Sequence, residues 1–482
     1  MESHYKSMLP LMNHLANHGH EVHVWFTATP GAELSHDKIK INNCVVDPSK
    51  SSLMQQMENV DSSDFSRSLW KQADSGFFIM LMPNVFAIEF LNLCYQQQPA
   101  NIQQVLNGNW DLVVVDSEFT PSSALFLEEN GKPKFPTILL VTSLTIPADR
   151  QNQALPYNPI LQKPLWDTKY DLHSFHYRLK EVIAYFTDLG VQYYVGFQTY
   201  LQLRPLLRFS QTVAQIANQA VLYFHYEWQS VGEPAPTSPT TLALSEGKCP
   251  EIKDKSLPED LAKFIEDPAS KGTILAAFGH MIAWNAAPRK TIEAIYNTFS
   301  KLTDYRIIWQ YDGPELTPQK HILFSKWIPQ PAILNHPKTK VFMSHAGMKS
   351  AQECVCSEVP MLSFPVFADQ FFNGPLICND AKAGRLIHKL DFTEESLEEA
   401  LQDLLKNNTC SRNMKRLNSV MTDKIKPPLD LALHKVELIL KNPVAFPPLM
   451  ELNGKQLNFF CYFNMDLAMG LVAVLISIIS IY

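Results

Sequence analysis

The chain has 482 residues, 46% apolar and 18% charged, with a net charge of −7. At roughly 100–200 residues per domain it holds several globular units, and its acidic balance excludes a basic nucleic-acid footprint. Eight cysteines without a CxxC pair or zinc spacing exclude a disulfide-built scaffold and a structural metal.

The amino terminus carries no charged start followed by an apolar stretch, so no signal peptide is visible. Tyr5–His18 reads as an amphipathic helix closed by Gly19, and Glu21–Phe26 (EVHVWF) as a strand. An α/β domain ordinarily places its first strand in mid-sheet, so the reading expects a further strand ahead of this helix. A long aromatic, helical stretch follows at 68–98, then strands Asp111–Asp116 (DLVVVD) and Thr137–Val141 (TILLV), then a mostly helical segment over 170–220. Residues 233–251, rich in Pro, Ser and Thr, read as a linker.

Beyond the linker, strands and helices alternate. Strand Thr273–Phe278 precedes a helix opening at Pro288, followed by strand Arg306–Tyr311, the short His321–Phe324 and a helical turn at Pro331–Asn335. Strand Lys340–Ser344 leads into helix Lys349–Glu358, Met361–Pro365 into helix Gln370–Ala383, and helix Glu394–Lys406 closes the set. Apolar strands alternating with helices specify an α/β fold with parallel sheets covered on both faces: two Rossmann-like domains facing each other across a cleft. Leu467–Tyr482 runs sixteen residues without a charge, about 24 Å as a helix against the ~30 Å hydrocarbon core. A buried terminal helix is the alternative, but a run apolar on every face favours a membrane anchor.

The segment 324–374 carries the chemistry. A strand ends at Ser344, turns at His345-Ala346-Gly347 and enters a helix, so free N–H groups face the carboxyl edge of the sheet, where phosphate is favoured. Gly347 lets the backbone approach closely, Lys349 and Ser350 add a charge and a hydroxyl, and Glu353, one turn on, suits a ribose. Trp327, at the end of its own strand, is placed to stack on a flat base.

The run W-x-P-Q, H-P, H-x-G-x-x-S-x-x-E, V-P and D-Q-x-x-N resembles the signature of the UDP-glycosyltransferases, and most closely their animal membrane-bound branch, the UDP-glucuronosyltransferases. The resemblance implies the two-domain GT-B glycosyltransferase fold with a C-terminal transmembrane helix. Residues 1–232 would bind the acceptor, 252–445 the UDP-sugar, 446–466 would approach the membrane and 467–482 span it. By position, Trp327 would stack on uracil, Gln330 contact the ribose, His345, Gly347, Lys349 and Ser350 hold the diphosphate, Glu353 bind the ribose hydroxyls, and Asp369 and Gln370 hold the transferred sugar. The family uses no metal or bound cofactor, the UDP-sugar being a co-substrate, and the chain has no D-x-D cluster.

The resemblance also makes His4 the catalytic base and Asp116, followed by Pro121, its orienting aspartate. The chemistry is sound: an imidazole can take the proton of an attacking hydroxyl, and a carboxylate on its other nitrogen fixes the tautomer. The reaction implied is inverting transfer of glucuronic acid or glucose to a hydroxyl of a lipophilic small molecule, whose pocket the aromatic stretches 68–98 and 170–210 would line. The alternative is a non-catalytic, membrane-tethered relative that binds donor or partner. Endoplasmic-reticulum residence with both domains lumenal is implied, the sequon Asn407-Asn408-Thr409 being compatible with it, and association with further copies is left open.

Blander roles compete. Four histidines crowd the first twenty residues (His4, His14, His18, His20), and His14 and His18 have an i,i+4 metal-like spacing without an acidic partner pattern. Cys354 and Cys356 read as packing residues on one helix. Three positions depart from the family pattern: Lys349 stands for a common Asn, Ala346 for a common Gly, and His280 for a Ser.

Overall fold

The computed structural model describes residues 2–51, 62–71, 76–117, 134–142, 145, 147–160, 171–207, 217–228, 230–231, 236–247, 249, 257–279, 282–443 and 453–481. Pro121 and His280 lie outside them.

The carboxyl-terminal half holds a six-stranded sheet made of β7 (Thr273–Ala277), β8 (Arg306–Gln310), β9 (Ile322–Ser325), β10 (Thr339–Ser344), β11 (Met361–Ser363) and β12 (Gly384–Leu386), in the order β12-β11-β10-β7-β8-β9 and parallel throughout. Sequences such as TILAA and RIIWQ form these strands because both faces are covered, so near-continuous apolar runs are stable there. Alternate residues feed opposite layers. Ile274, Ala276, Trp309 and Met343 pack against helices Arg289–Lys301 and Glu394–Lys406, while Leu275, Ile308 and Phe342 pack against Glu259–Ile265, Met348–Cys356 and Thr409–Thr422. Thr393 starts helix Glu394–Lys406 with a capping box closed by Ser396.

The amino-terminal half is assembled differently. Helix Glu2–Asn17 leads to β1 (His23–Ala28), which among the described residues pairs only with β2 (Lys40–Val45), a strand absent from the sequence reading. A separate parallel sheet has the order β3-β4-β5-β6: Val113–Asp116, Thr137–Val141, Leu222–His225 and Thr241–Ala243. The last strand lies inside the segment expected to be a linker, because Leu242 and Ala243 continue the sheet beside Phe224 and His225. Helices Gly76–Gln97 and Phe175–Leu207 complete this half.

Two crossings stitch the lobes. Helix Pro428–Lys441, beyond the set the sequence analysis closed at Lys406, returns to the amino-terminal lobe, where Ala432, Val436 and Ile439 are buried against Leu11, Leu15 and the β4 residues Ile138 and Leu140. His14 faces Asp430 across this contact at 3.0 Å, an acidic partner on another element. In the other direction, helix Ser62–Lys71 inserts Leu69 and Trp70 into the carboxyl-terminal core. The Trp70 indole packs on Trp284 and Phe364 and donates to the Ala283 carbonyl at 3.2 Å, and the Lys389 ammonium donates to the carbonyls of Leu69 and Val366. The start of the stretch expected to line an acceptor pocket is thus part of the carboxyl-terminal core.

The cysteines also differ from expectation. Cys356 is not a packing residue: it is disulfide-bonded to Cys249, 107 residues away, and Cys44 is bonded to Cys94, tying β2 to helix Gly76–Gln97. Cys354 remains a buried thiol. The terminal apolar helix runs Met465–Ile481, seventeen residues with Leu467, Val472 and Ile479 exposed. Among the described residues no helix is long and apolar enough to cross a membrane. The short segment before it docks on the amino-terminal lobe: Tyr462 donates to the Leu155 carbonyl at 3.0 Å and Phe463 packs on Tyr185 and Phe186.

Two consequences are measurable. Ile439→Ala opens a cavity between the lobes' shared helix and the β3–β6 sheet and costs about 2–5 kcal/mol in denaturant unfolding. Asp188 on helix Phe175–Leu207 is buried, its Oδ2 has no hydrogen-bond partner among the described residues, and burial pushes its carboxyl up to about 6. Since the unfolded value is about 3.9, its neutral form favours folding most below that pH, and the contribution is lost as pH rises through 6. Asp188→Asn therefore stabilises the protein above pH 6 by on the order of 1–3 kcal/mol, and thermal unfolding shows the gain shrinking toward pH 4.

Candidate active site

The predicted donor site at the carboxyl end of the carboxyl-terminal sheet is built from the end of β10. The backbone passes from Ser344 through His345 to Ala346, which takes a positive φ of 64°, and Gly347 caps helix Met348–Cys356. The His345 ring is nested between two glycines. A Cβ on Gly347 would lie 2.7 Å from its Nε2, and one on Gly279, which sits at φ 70°, would lie 3.1 Å from it. Gly347 is therefore required by space and Gly279 by both space and conformation.

Around this helix start the predicted donor residues converge. Gln330, the first residue of helix Gln330–Leu334, donates through Nε2 to the Glu353 carboxylate at 2.7 Å and to the Ser350 hydroxyl at 3.2 Å. Burial raises the Glu353 carboxyl, with the Gln330 hydrogen bond and the Lys349 charge acting in the opposite sense. A carboxylate that is buried yet hydrogen-bonded suits a pair of hydroxyl donors. Trp327 lies on the loop after β9, three residues before Gln330, with 72% of its surface exposed, a flat apolar face open to solvent. Lys349 is exposed in the first helical turn.

Asp369 and Gln370 do more structural work than expected. Asp369 Oδ2 accepts the Met348 N–H and the Asn373 amide, each at 2.9 Å, so it caps the helix start from another loop. Gln370 is buried, and its Oε1 accepts the N–H groups of Val366 and Phe367 at 2.9 and 3.0 Å, which sets the course of the loop after β11. The disulfide Cys249–Cys356 anchors the far end of the helix, and Gln352 donates to the Ser245 carbonyl at 3.0 Å.

The second cluster lies at the carboxyl end of β3. His4 Nδ1 is 2.8 Å from Asp116 Oδ2, with Asp116 buried and His4 about one-fifth exposed. Thr142, one residue past β4, completes a triangle: its hydroxyl is 2.7 Å from His4 Nδ1 and donates to Asp116 Oδ2 at 3.0 Å. Sequence reasoning missed Thr142. The signal was its place directly after β4, since adjacent parallel strands bring their carboxyl ends together. Asp116 stands opposite Leu140 in the pairing, two residues short of it. His4 also borders a cavity of ≈ 830 Å³ between β1 and β3. Among the described residues no group of three or more His, Cys, Asp or Glu side chains is placed to share a metal ion.

Comparison with known proteins identifies the family and the fold. The family model for "UDP-glucoronosyl and UDP-glucosyl transferase" matches residues 1–482. The chain is 26% identical to UDP-glycosyltransferase UGT5 of Dactylopius coccus, over all of this chain and 88% of that protein. It is 24% identical to mouse UDP-glucuronosyltransferase 1-2 over 79% of this chain and 69% of that one, and 30% identical to human UDP-glucuronosyltransferase 1A9 over 51% and 45%. Among solved structures it is similar to Os79 of O. sativa in complex with UDP, with a TM-score of 0.59 at 14% identity over 90% of this chain and 97% of that one. It is also similar to Arabidopsis thaliana UGT89C1 in complex with quercetin, with a TM-score of 0.55 at 14% identity over 89% and 95%. These likenesses identify the GT-B fold. By the match over its whole length, the chain belongs to the UDP-glycosyltransferase family and is a glycosyltransferase enzyme.

Proposed function

We propose that this enzyme transfers glucuronic acid or glucose from a UDP-sugar to a hydroxyl of a lipophilic small molecule with inversion, His4 acting as general base. The observation that carries the reading is the His4–Asp116 hydrogen bond at the end of β3, in the lobe opposite the donor cluster. With Nδ1–H directed at Asp116, the tautomer puts the imidazole lone pair on Nε2. The acceptor hydroxyl gives its proton to Nε2 as its oxygen attacks the sugar C1, and the bond from C1 to the β-phosphate oxygen breaks, so UDP leaves from the opposite face. Asp116 stabilises the imidazolium, and Thr142 holds the carboxylate in place.

On the donor side, Trp327 stacks on the uracil, Gln330 and Glu353 bind the ribose, and His345, Gly347, Lys349 and Ser350 face the diphosphate. The helix start at Met348 favours the charge that builds on the leaving group. Asp369 and Gln370, each bonded to backbone N–H groups here, fix the loop that would hold the transferred sugar.

A lumenal, oxidising setting is part of the same proposal. It is supported by the two disulfides. The apolar helix Met465–Ile481 and the exposed Phe175, Ile183 and Tyr194 of the long helix beside its base suit attachment to a membrane.

The test is a donor and acceptor screen with three variants. His4→Ala lowers turnover by about 10²–10⁴ and leaves UDP affinity unchanged in calorimetry. Trp327→Ala and Glu353→Gln weaken UDP binding, the former by roughly 5–150-fold if stacking supplies ~1–3 kcal/mol. UDP binding by the wild type without turnover on any donor, or full activity in His4→Ala, sinks the proposal.

A further inference from the structure

The loop after β11 carries Asp369 and leads into helix Gln370–Pro375, so its course sets where both side chains stand. It is not a relaxed turn. Ala368 takes a positive φ of 53°, a region that costs a residue with a side chain free energy and persists only where the surroundings determine it.

Ties within the carboxyl-terminal lobe hold part of this loop. Phe364 N–H donates to the Ser344 carbonyl at 2.8 Å, Gln370 Oε1 accepts from Val366 and Phe367, and Asp369 Oδ2 accepts from Met348. A further tie is a buried cation. β12 lies beside β11 with Leu386 opposite Ser363, so Lys389 and Val366, each three residues further on, run side by side. The Lys389 ammonium donates to the Val366 carbonyl at 2.5 Å and lies 5.5 Å from the centre of the Phe371 ring. Val366 is thus held at its N–H and at its C=O.

The same ammonium donates to the Leu69 carbonyl on helix Ser62–Lys71, whose Trp70 packs on Phe364 at the root of the loop. One buried charge therefore joins the loop to a segment that enters from the amino-terminal half. An apolar side chain would cover the same surface without the cost of desolvating a charge, but it would not fix the direction of a carbonyl. Ammonium, loop and helix form one unit, since a buried cation keeps its place only while its acceptors are there.

We infer that Lys389 is a positioning residue for the transferred sugar. By gripping the Val366 carbonyl it keeps Asp369 and Gln370 on the course that receives the sugar, and it does so only while helix Ser62–Lys71 is seated. The inference rests on the reading of that loop as the sugar-holding one. In the same reading uracil and ribose lie on Trp327, Gln330 and Glu353, outside the loop, so Lys389 acts on the sugar far more than on UDP.

Calorimetry on the full chain compares UDP with UDP-glucose and UDP-glucuronic acid in the wild type, Asp369→Asn, Lys389→Met and Lys389→Arg. Asp369→Asn retains an oxygen for the Met348 N–H, so it reports on the sugar contact. Lys389→Met is expected to lower affinity for the UDP-sugar by about tenfold or more relative to that for UDP, a selectivity that a general loss of stability does not produce. Lys389→Arg keeps a charged donor and recovers most of it. Losing a buried lysine can cost folding, so Trp70→Phe, which keeps a ring on Phe364 but drops the bond to Ala283, is measured in parallel and decides if Lys389→Met does not fold. Its expected selective loss is about 2–10-fold. A selective loss in Lys389→Met recovered by Lys389→Arg, or in Trp70→Phe where that variant decides, upholds the inference. No selective loss in the deciding variant while Asp369→Asn shows one, or no recovery by Lys389→Arg, overturns the inference alone. No selective loss in Asp369→Asn overturns the sugar-holding reading and this inference with it.

Discussion

The contact between the His345 ring and the bare backbone of Gly279 and Gly347 constrains the whole donor end of the molecule. Two loops, after β7 and after β10, can close on one imidazole only because neither glycine carries a side chain. That closure sets where helix Met348–Cys356 begins, and the Asp369 carboxylate reaching its first N–H fixes the same point from the loop after β11. Three consecutive strand ends thus converge on one helix start. The convergence places Gln330, Ser350 and Glu353 in a single hydrogen-bonded group.

The His4–Asp116–Thr142 cluster obeys the same rule with less support. Asp116 and Thr142 meet because β3 and β4 run parallel and end side by side, and His4 joins them from the first helical turn. Around it, however, the strands among the described residues fall into two sheets, and β1 pairs there with β2 alone. The donor lobe is a continuous six-stranded layer with apolar cover on both faces. The amino-terminal lobe relies on a helix borrowed from the far end of the chain and on the Cys44–Cys94 bond to stay closed.

The lobes are mutually dependent, not two beads on a linker. Helix Pro428–Lys441 belongs by sequence to the carboxyl-terminal half and by packing to the other, while Trp70 does the reverse. The segment expected to be a linker includes β6 and Ser245, which accepts from Gln352, and Cys249, bonded to Cys356; all three fix it in place.

Local periodicity determined most of the elements. Strands such as Thr137–Val141 and helix Glu394–Lys406 match the pattern because continuous apolar runs and a capping box are signals carried by neighbouring residues. Part of the 324–374 motif was legible for the same reason: His345, Ser350 and Glu353 sit at spacings set by one strand, one turn and one helix, whereas Gln330, on the separate helix Gln330–Leu334, was placed by the family resemblance. What depends on residues far apart in the chain was not. Thr142 beside His4, Cys249 bonded to Cys356, Trp70 in the opposite core, the short β2 and β12 and the return of helix Pro428–Lys441 each arise from packing between segments tens to hundreds of residues apart. Such contacts leave no period in the sequence. They follow from which apolar faces remain uncovered once the local elements have formed, and that is settled only by the assembled fold.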